Sequence, residues 1–275
     1  MMASVSILMS SYWRDSPEQL SQALESLATQ TVPPGEVVIV IGGDVPEALE
    51  KVFRDFEYKV GLRVLRQEKN EGLGSALQLG LENCRNELVA RMDGDDICFL
   101  DRIEQQVSFM QENPEVGILS SWHAEFETDT MQVNAIKQTP TSNGGICKGL
   151  PWRNIISHPT VMMRRSAVLG IGGYRTMPYS EDYDLWLRVR AAGLPMASIP
   201  HPLLYMRVDR QQRVRRGGLH YATTSVAWRW RLLHEGVLNF WQFLATAPLY
   251  FIFHIIPPDV RGWFYRFVRR SPDMI

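Results

Sequence analysis

Cysteine is scarce. Cys84, Cys98 and Cys147 are the only three in 275 residues, and they stand far apart. That excludes a disulfide framework and a CxxC zinc site, and favours a reducing compartment. An excess of one charge is missing too: the formal net charge of -1 gives no global attraction to nucleic acid, and no nucleic-acid partner is expected. No GxxxxGK[ST] occurs, which removes a P-loop nucleotide hydrolase. The opening "MMASVSILMSSYWRD" lacks the basic start and small-residue cleavage site of a secretory signal, so the chain reads as cytoplasmic. A clean membrane span is also lacking. Residues 237–256 approach the roughly 20 needed to cross a bilayer, but Asn239, Gln242, Thr246, Pro248 and His254 interrupt them.

What is present is an alternation of strand and helix signals. "SVSILM" (4–9) is a short apolar run. Ser16, Pro17 and Gln19 then fit N-cap, N1 and N3 of a helix whose apolar face is Leu20, Ala23, Leu24 and Leu27. "EVVIVIGGD" and "GLRVLRQ" follow as strands, Ser75 to Cys84 has helical spacing, and "ELVARM" is a further strand. Asp101 with Glu104 resembles a capping box before the stripe Ile103, Val107, Met110. "VGILSSW" reads as a strand, "ETDTMQVNAIKQTPTSNGG" as a loop or edge hairpin, and "HPTVMMRRSAV" as a strand entering a helix. "YSEDYDLWLRVRAAG" reads as a helix capped by Ser180 and stopped by Gly193. Such alternation predicts an α/β fold, a mostly parallel sheet flanked by helices, with ligands at the carboxyl ends of its strands.

Three carboxylates, Asp93, Asp95 and Asp96, follow the strand "ELVARM". Two acids at i and i+2 beyond a strand can face one hard divalent cation and leave positions for phosphate oxygens. The competing reading makes them turn formers that cap the helix near Asp101. Glu181 and Asp182 open another predicted helix, where the helix dipole alone favours acids. Together, one acidic pair to hold a metal and another carboxylate to accept a proton are the parts needed to move a group from a nucleoside diphosphate to a hydroxyl. Gly72 and Gly74 begin a GxGxxG-like pattern that Leu77 leaves incomplete. His158 before Pro159 is either a site residue or a structural one.

The ordered set "VSILMSSY", "EVVIVIGGD", "NEGLGSALQLGL", "ARMDGDD", "HPTVMMRRSAV..GIGGYR" and "EDYDLWLRVRAAG" resembles the family 2 glycosyltransferases of GT-A fold, especially bacterial enzymes that build exopolysaccharide, capsule and O-antigen units. The match runs from about residue 4 to 217. The resemblance implies inverting transfer of a hexose from a nucleotide sugar, UDP-linked by family frequency, to a lipid-linked (polyprenyl diphosphate) saccharide. It implies that Ser11 and Tyr12 line the nucleotide pocket, with Asn70 also on the donor. Asp93 and Asp95 would be a DxD motif holding Mg2+ or Mn2+, Asp93 also lying near the ribose. Asp182 would be the general base, supported by Glu181.

The chain departs from the family pattern at two places. The Asp that commonly contacts the base is replaced at Ile41 and Gly42, leaving Asp44 as a substitute. An Arg often found after "GLGSA" is Leu77 here, which leaves diphosphate contact to Arg91 or to Arg213, Arg215 and Arg216. A catalytically silent binding protein for assembly, or a nucleotidyltransferase on a similar sheet, are the competing functions. A catalytic domain is expected over residues 1–217 and a helical, membrane-interfacial region over 218–275. There "PPDVRGWFYRFVRR" mixes aromatics with four arginines. The protein is therefore expected at the inner face of the cytoplasmic membrane.

Overall fold

The computed structural model of the chain describes residues 3–128, 131–208 and 218–256. Two compact units emerge, Met1–Arg207 and Val208–Ile275. The division falls ten residues before the expected boundary, and nearly all of that interval, 209–217, lies outside the described residues.

In the first unit, β1 (Val5–Ser11) leads into α1 (Pro17–Ala28). The helix starts as its sequence predicts: Gln19 N–H donates to the Ser16 hydroxyl at 3.3 Å, and Leu20, Ala23, Leu24 and Leu27 are buried on one face. Then come β2 (Glu36–Gly42), α2 (Glu47–Phe56), β3 (Leu62–Gln67), α3 (Leu73–Asn83) and β4 (Leu88–Arg91). β1 pairs in parallel with both β2 and β4, and β2 with β3. Helices cover both faces of such a block, which is why Val37 to Ile41 form an unbroken apolar run with no exposure. Gly80 lets α3 lie close to this block. A Cβ at Gly80 would stand 2.3 Å from Leu8 Cδ1 and 2.9 Å from Val40 Cγ2.

The second half of the sheet is mixed. It contains β5 (Ile97–Cys98), β6 (Ile118–Phe126), β7 (Val133–Lys137), β8 (Met162–Arg164) and β9 (Met196–Arg207). The strand order is β3-β2-β1-β4-β8-β6-β9-β5, with β7 paired to β6 as the expected edge hairpin. Parallel pairing supplies most of the paired residues, while β8 runs antiparallel to β4 and β6. The helices here are α4 (Arg102–Glu112), α5 (Asn143–Gly149), α6 (Arg165–Gly170) and α7 (Glu181–Ala191). Because β5 pairs with β9, the acidic loop after β4 is held between two distant parts of the sheet.

Two expected caps are corrected. Asp101 precedes α4, but its carboxylate takes the Gln105 side-chain amide at 2.6 Å and no backbone N–H. Glu104 takes the Thr31 hydroxyl at 2.7 Å. A side chain one turn on, Gln105, and a distant one, Thr31, take the two acids in place of the capping box. Ser180 precedes α7 in left-handed backbone (φ 64°) and makes no side-chain cap bond. Gly193, at φ +72°, stops α7 as expected.

The second unit is a helical hairpin. Gly218 N–H donates to His254 C=O at the start of α8 (Leu219–His234) and the end of α9 (Phe240–Ile255), while Trp230 meets Phe243 at the other end. Asn239 caps α9 in a complete capping box with Gln242, so it begins the apolar run instead of interrupting it. No helix among the described residues is long and apolar enough to cross a membrane.

Candidate active site

The carboxyl ends of β1, β2 and β4 lie side by side, and most expected site residues follow them. Ser11 Oγ donates to Asp15 Oδ2 at 2.9 Å, and Tyr12 N–H donates to the same oxygen at 3.1 Å. Asp15 thus ties the β1–α1 loop into a fixed turn. Sequence reasoning passed over it, because its carboxylate accepts from groups three and four residues earlier, a pattern that matches no standard turn or cap signal.

β4 ends at Arg91, and the chain turns through Met92, Asp93, Gly94, Asp95 and Asp96. Oxygens of the three aspartates lie within 4.8 Å of one another. Arg91, 2% exposed, forms an ion pair with Asp93, which is 40% exposed. The arginine expected to meet a diphosphate therefore sits beneath the acidic loop, and its Nε and Nη1 are buried without a partner. Arg102 is also buried. It donates to Arg91 C=O at 2.8 Å and to Gln106, anchoring the strand end and leaving the aspartates alone.

Asp96 shapes the loop, as expected: Oδ1 accepts from Arg207 N–H at 2.9 Å, and the Arg207 guanidinium reaches Asp95 C=O and Gln22. Arg207, the last residue of β9, thus braces the acidic loop. Asp96 Oδ2 is buried without a partner. Burial, then the charge of Asp93, pushes the Asp95 carboxyl up to about 6. Burial, then Asp93 and Asp95, holds Asp96 well above the usual carboxylate range. Burial also raises Asp15, against its bonds from Ser11 and Tyr12, with the charge of Asp93 adding to the rise. Crowded hard oxygen donors with an orphaned buried oxygen fit Mg2+ or Mn2+.

The second acidic pair opens α7. Asp182 Oδ2 accepts from the Asn154 amide at 2.8 Å, and Oδ1 accepts from Tyr183 N–H at 2.7 Å. Glu181 faces α3 across a cleft of ≈ 340 Å³ lined by Glu71, Gly72, Leu73, Thr176, Met177, Pro178 and Glu181. The two segments interlock. A Cβ at Gly74 would meet Arg175 C=O at 2.3 Å, and Tyr174 N–H donates to Gln78 Oε1 at 2.7 Å. A second hollow of ≈ 420 Å³ between α2 and β3 is lined by the Glu50–Arg66 ion pair and contains none of the expected site residues.

Tyr174 relates the two acidic groups. Its phenol is pushed up by burial, then, against the charge of Arg91, by Asp182, Glu181 and Asp93. Its hydroxyl meets His158 Nε2 at 2.8 Å, and His158 packs edge-on to Trp186. Burial, then Arg91, holds the His158 imidazole well below its ordinary pKa. His158 is thus a structural residue of this buried chain.

The remaining expected residues are less tightly held. Asn70 packs on Gly42, where an added Cβ would lie 3.1 Å from Asn70 Cα, and its side chain accepts from Gly72 N–H at 2.9 Å. Ile41 has no exposure, so its side chain cannot meet a base. Asp44 is exposed in the loop after β2. Leu77, where an arginine was considered, is a core residue of α3. Arg213, Arg215 and Arg216 lie outside the described residues.

The model of Glycosyl transferase family 2 matches residues 6–171. A UDP-Gal:alpha-D-GlcNAc-diphosphoundecaprenol beta-1,3-galactosyltransferase from Escherichia coli is 35% identical over 265 residues, covering 96% of each chain. The amylovoran biosynthesis glycosyltransferase AmsE of Erwinia amylovora is 39% identical over 221 residues, 80% of this chain and 82% of that one. Among solved structures, the mannosyltransferase PcManGT from Pyrobaculum calidifontis, in complex with GDP-Man and Mn2+, superposes with a TM-score of 0.63 at 16% identity. It covers 98% of this chain and 81% of that one, a likeness of fold alone.

Proposed function

The chain belongs to glycosyl transferase family 2, with the GT-A fold, and we propose that it moves a hexose from a UDP-sugar to a hydroxyl of a polyprenyl-diphosphate-linked saccharide, with inversion, in surface-polysaccharide synthesis. The donor and acceptor classes are those named for the Escherichia coli relative, which aligns over nearly the whole chain. The observation that carries the reading is the acidic turn at the carboxyl end of β4, where oxygens of Asp93, Asp95 and Asp96 lie within 4.8 Å of one another.

Each residue then has a task. Ser11 and Tyr12, fixed by Asp15, hold the nucleotide, with Asn70 and Asp44 beside the entry of α3 and the end of β2. Asp93 and Asp95 would hold Mg2+ or Mn2+, which supplies positive charge against the diphosphate when bound. Arg91 holds Asp93 in place through their ion pair. Asp182 accepts the proton of the acceptor hydroxyl as its oxygen bonds to the anomeric carbon, and the carbon–oxygen bond to the diphosphate breaks with its electron pair leaving on UDP. Glu181, the neighbouring acid in the first turn of α7, supports Asp182. Arg213, Arg215 and Arg216 are assigned to donor or lipid phosphates from the sequence alone.

Incubation with a panel of UDP-hexoses, a polyprenyl-diphosphate-linked saccharide and Mn2+ tests this reading through the product released. UDP together with a lengthened saccharide supports it. Pyrophosphate released in a parallel incubation with UTP and a hexose 1-phosphate would indicate a nucleotidyltransferase, and binding without turnover of any donor would indicate a silent assembly protein.

A further inference from the structure

The site described above leaves the second unit unused. α9 contains no Asp, Glu, Lys or Arg, yet it is far from buried. Phe240, Trp241, Leu244, Leu249, Ile252 and Ile255 are all exposed, Trp241 by 73%. At about 100° per residue these six fall within one half of the helix surface. The opposite side carries Thr246, Ala247 and His254, which are buried against α8. The hairpin is internally closed on that side: His254 meets Tyr221, and Arg229 stacks at 3.7 Å on Tyr250.

We infer that this uncharged half of α9 lies in the surface of an anionic lipid bilayer, parallel to its plane. Length decides between lying and crossing. Sixteen residues make a helix of about 24 Å, short of the roughly 30 Å hydrocarbon core. Chemistry decides the occupant. Trp241 and Phe240 at one end, and Trp230 of α8 at 53% exposure, are the amphipathic rings that favour the headgroup level. The sequence on either side supplies cations: Arg210, Arg213, Arg215 and Arg216 before the hairpin, and Arg261, Arg266, Arg269 and Arg270 after it. With only Asp209, Asp259 and Asp273 against these eight arginines, the flanking sequence is net basic and complements anionic headgroups, which attract by about 1 kcal/mol per cation near the surface. The inference deepens the reading of a lipid-linked acceptor: a helix lying at the headgroup level would keep the enzyme where the diphosphate of that acceptor lies.

The test is co-sedimentation of the full chain with vesicles of phosphatidylcholine alone or with phosphatidylglycerol added. The chain should pellet with the anionic vesicles and be partly released by high salt. A double variant on the exposed face, Trp241→Glu with Ile252→Glu, should partition roughly tenfold or more weakly, with unchanged circular dichroism. Wild-type protein that stays in the supernatant with both vesicles overturns the inference, as does a double variant that pellets like the wild type. Vesicle-independent dimers abolished by the same double variant would assign the face to a second copy and overturn it too. UDP binding measured by calorimetry on both proteins keeps the outcome separate from the transferase reading, since that binding is independent of vesicles.

Discussion

Replacing Asp95 with Asn should make the protein more stable and catalytically empty. Burial and the charge of Asp93 raise the Asp95 carboxyl from 3.8 to about 6. A raised carboxyl means that the native state prefers the neutral form, so ionising it costs stability. That cost is absent below the unfolded value near 4, grows as pH rises from about 4 to about 6, and is complete above that. Two units at about 1.4 kcal/mol each set an upper bound of about 3 kcal/mol; Asp93 and Asp96, which share the crowding, take part of it. For a unit of this size 1 kcal/mol shifts Tm by about 2–4 °C, so Asp95→Asn should gain up to roughly 10 °C at pH 7 in metal-free buffer. Differential scanning calorimetry from pH 4 to pH 8 measures it. The gain should shrink as the pH is lowered and vanish near pH 4. Added Mn2+ at about 100 times its Kd should raise the wild-type Tm by the equivalent of about 2.7 kcal/mol and leave the variant unmoved. A variant no more stable than wild type at pH 7, or a gain equal at pH 4 and pH 7, would refute the reasoning that burial and mutual repulsion crowd these carboxylates.

Other substitutions probe the rest of the site. Metal affinity in the wild type should weaken by about tenfold per pH unit below 6 and level off above it, as Asp95 must lose its proton to bind; calorimetric titration with Mn2+ at pH 5, 6 and 7 reads this, and a constant Kd contradicts it. Asp182→Asn should lower kcat by about 10²- to 10⁴-fold and leave the Kd for UDP unchanged. Asp15→Ala frees the Ser11 hydroxyl and Tyr12 N–H, and should weaken UDP binding by about tenfold with little change in kcat once saturated. Gly74→Ala drives a Cβ into Arg175 C=O and should cost about 1–3 kcal/mol in thermal unfolding while reducing turnover through displacement of Glu181.

Much of this arrangement was legible in the chain. The Ser16 cap, the buried stripe of α1, the apolar run of β2 and the acidic turn after β4 follow from spacing and residue type, because each is decided by neighbours within a few positions. What resisted reading was decided across the fold. "ARMD" offers Arg91 as a free cation, but only the pairing of β4 with β1 and β8 shows that its side chain is buried below Asp93. The Asp101–Glu104 box failed partly for this reason: Glu104 takes the hydroxyl of the distant Thr31, while Asp101 takes the nearby Gln105 amide. Gly74 enters the sequence reading only in an incomplete GxGxxG-like pattern, and Gly173 only within "GIGGYR". In the fold they are contact points, where a Cβ would strike Gln78 or Arg175 and part α3 from the segment before Asp182.

The most direct test of the central claim is the anomeric configuration of the transferred hexose, read by NMR on the product made from a UDP-α-hexose, wild type against Asp182→Asn. A β-linked product from the wild type, and almost none from the variant, is the expected result. An α-linked product, or undiminished β-product from Asp182→Asn, would contradict a single in-line displacement with Asp182 as the base.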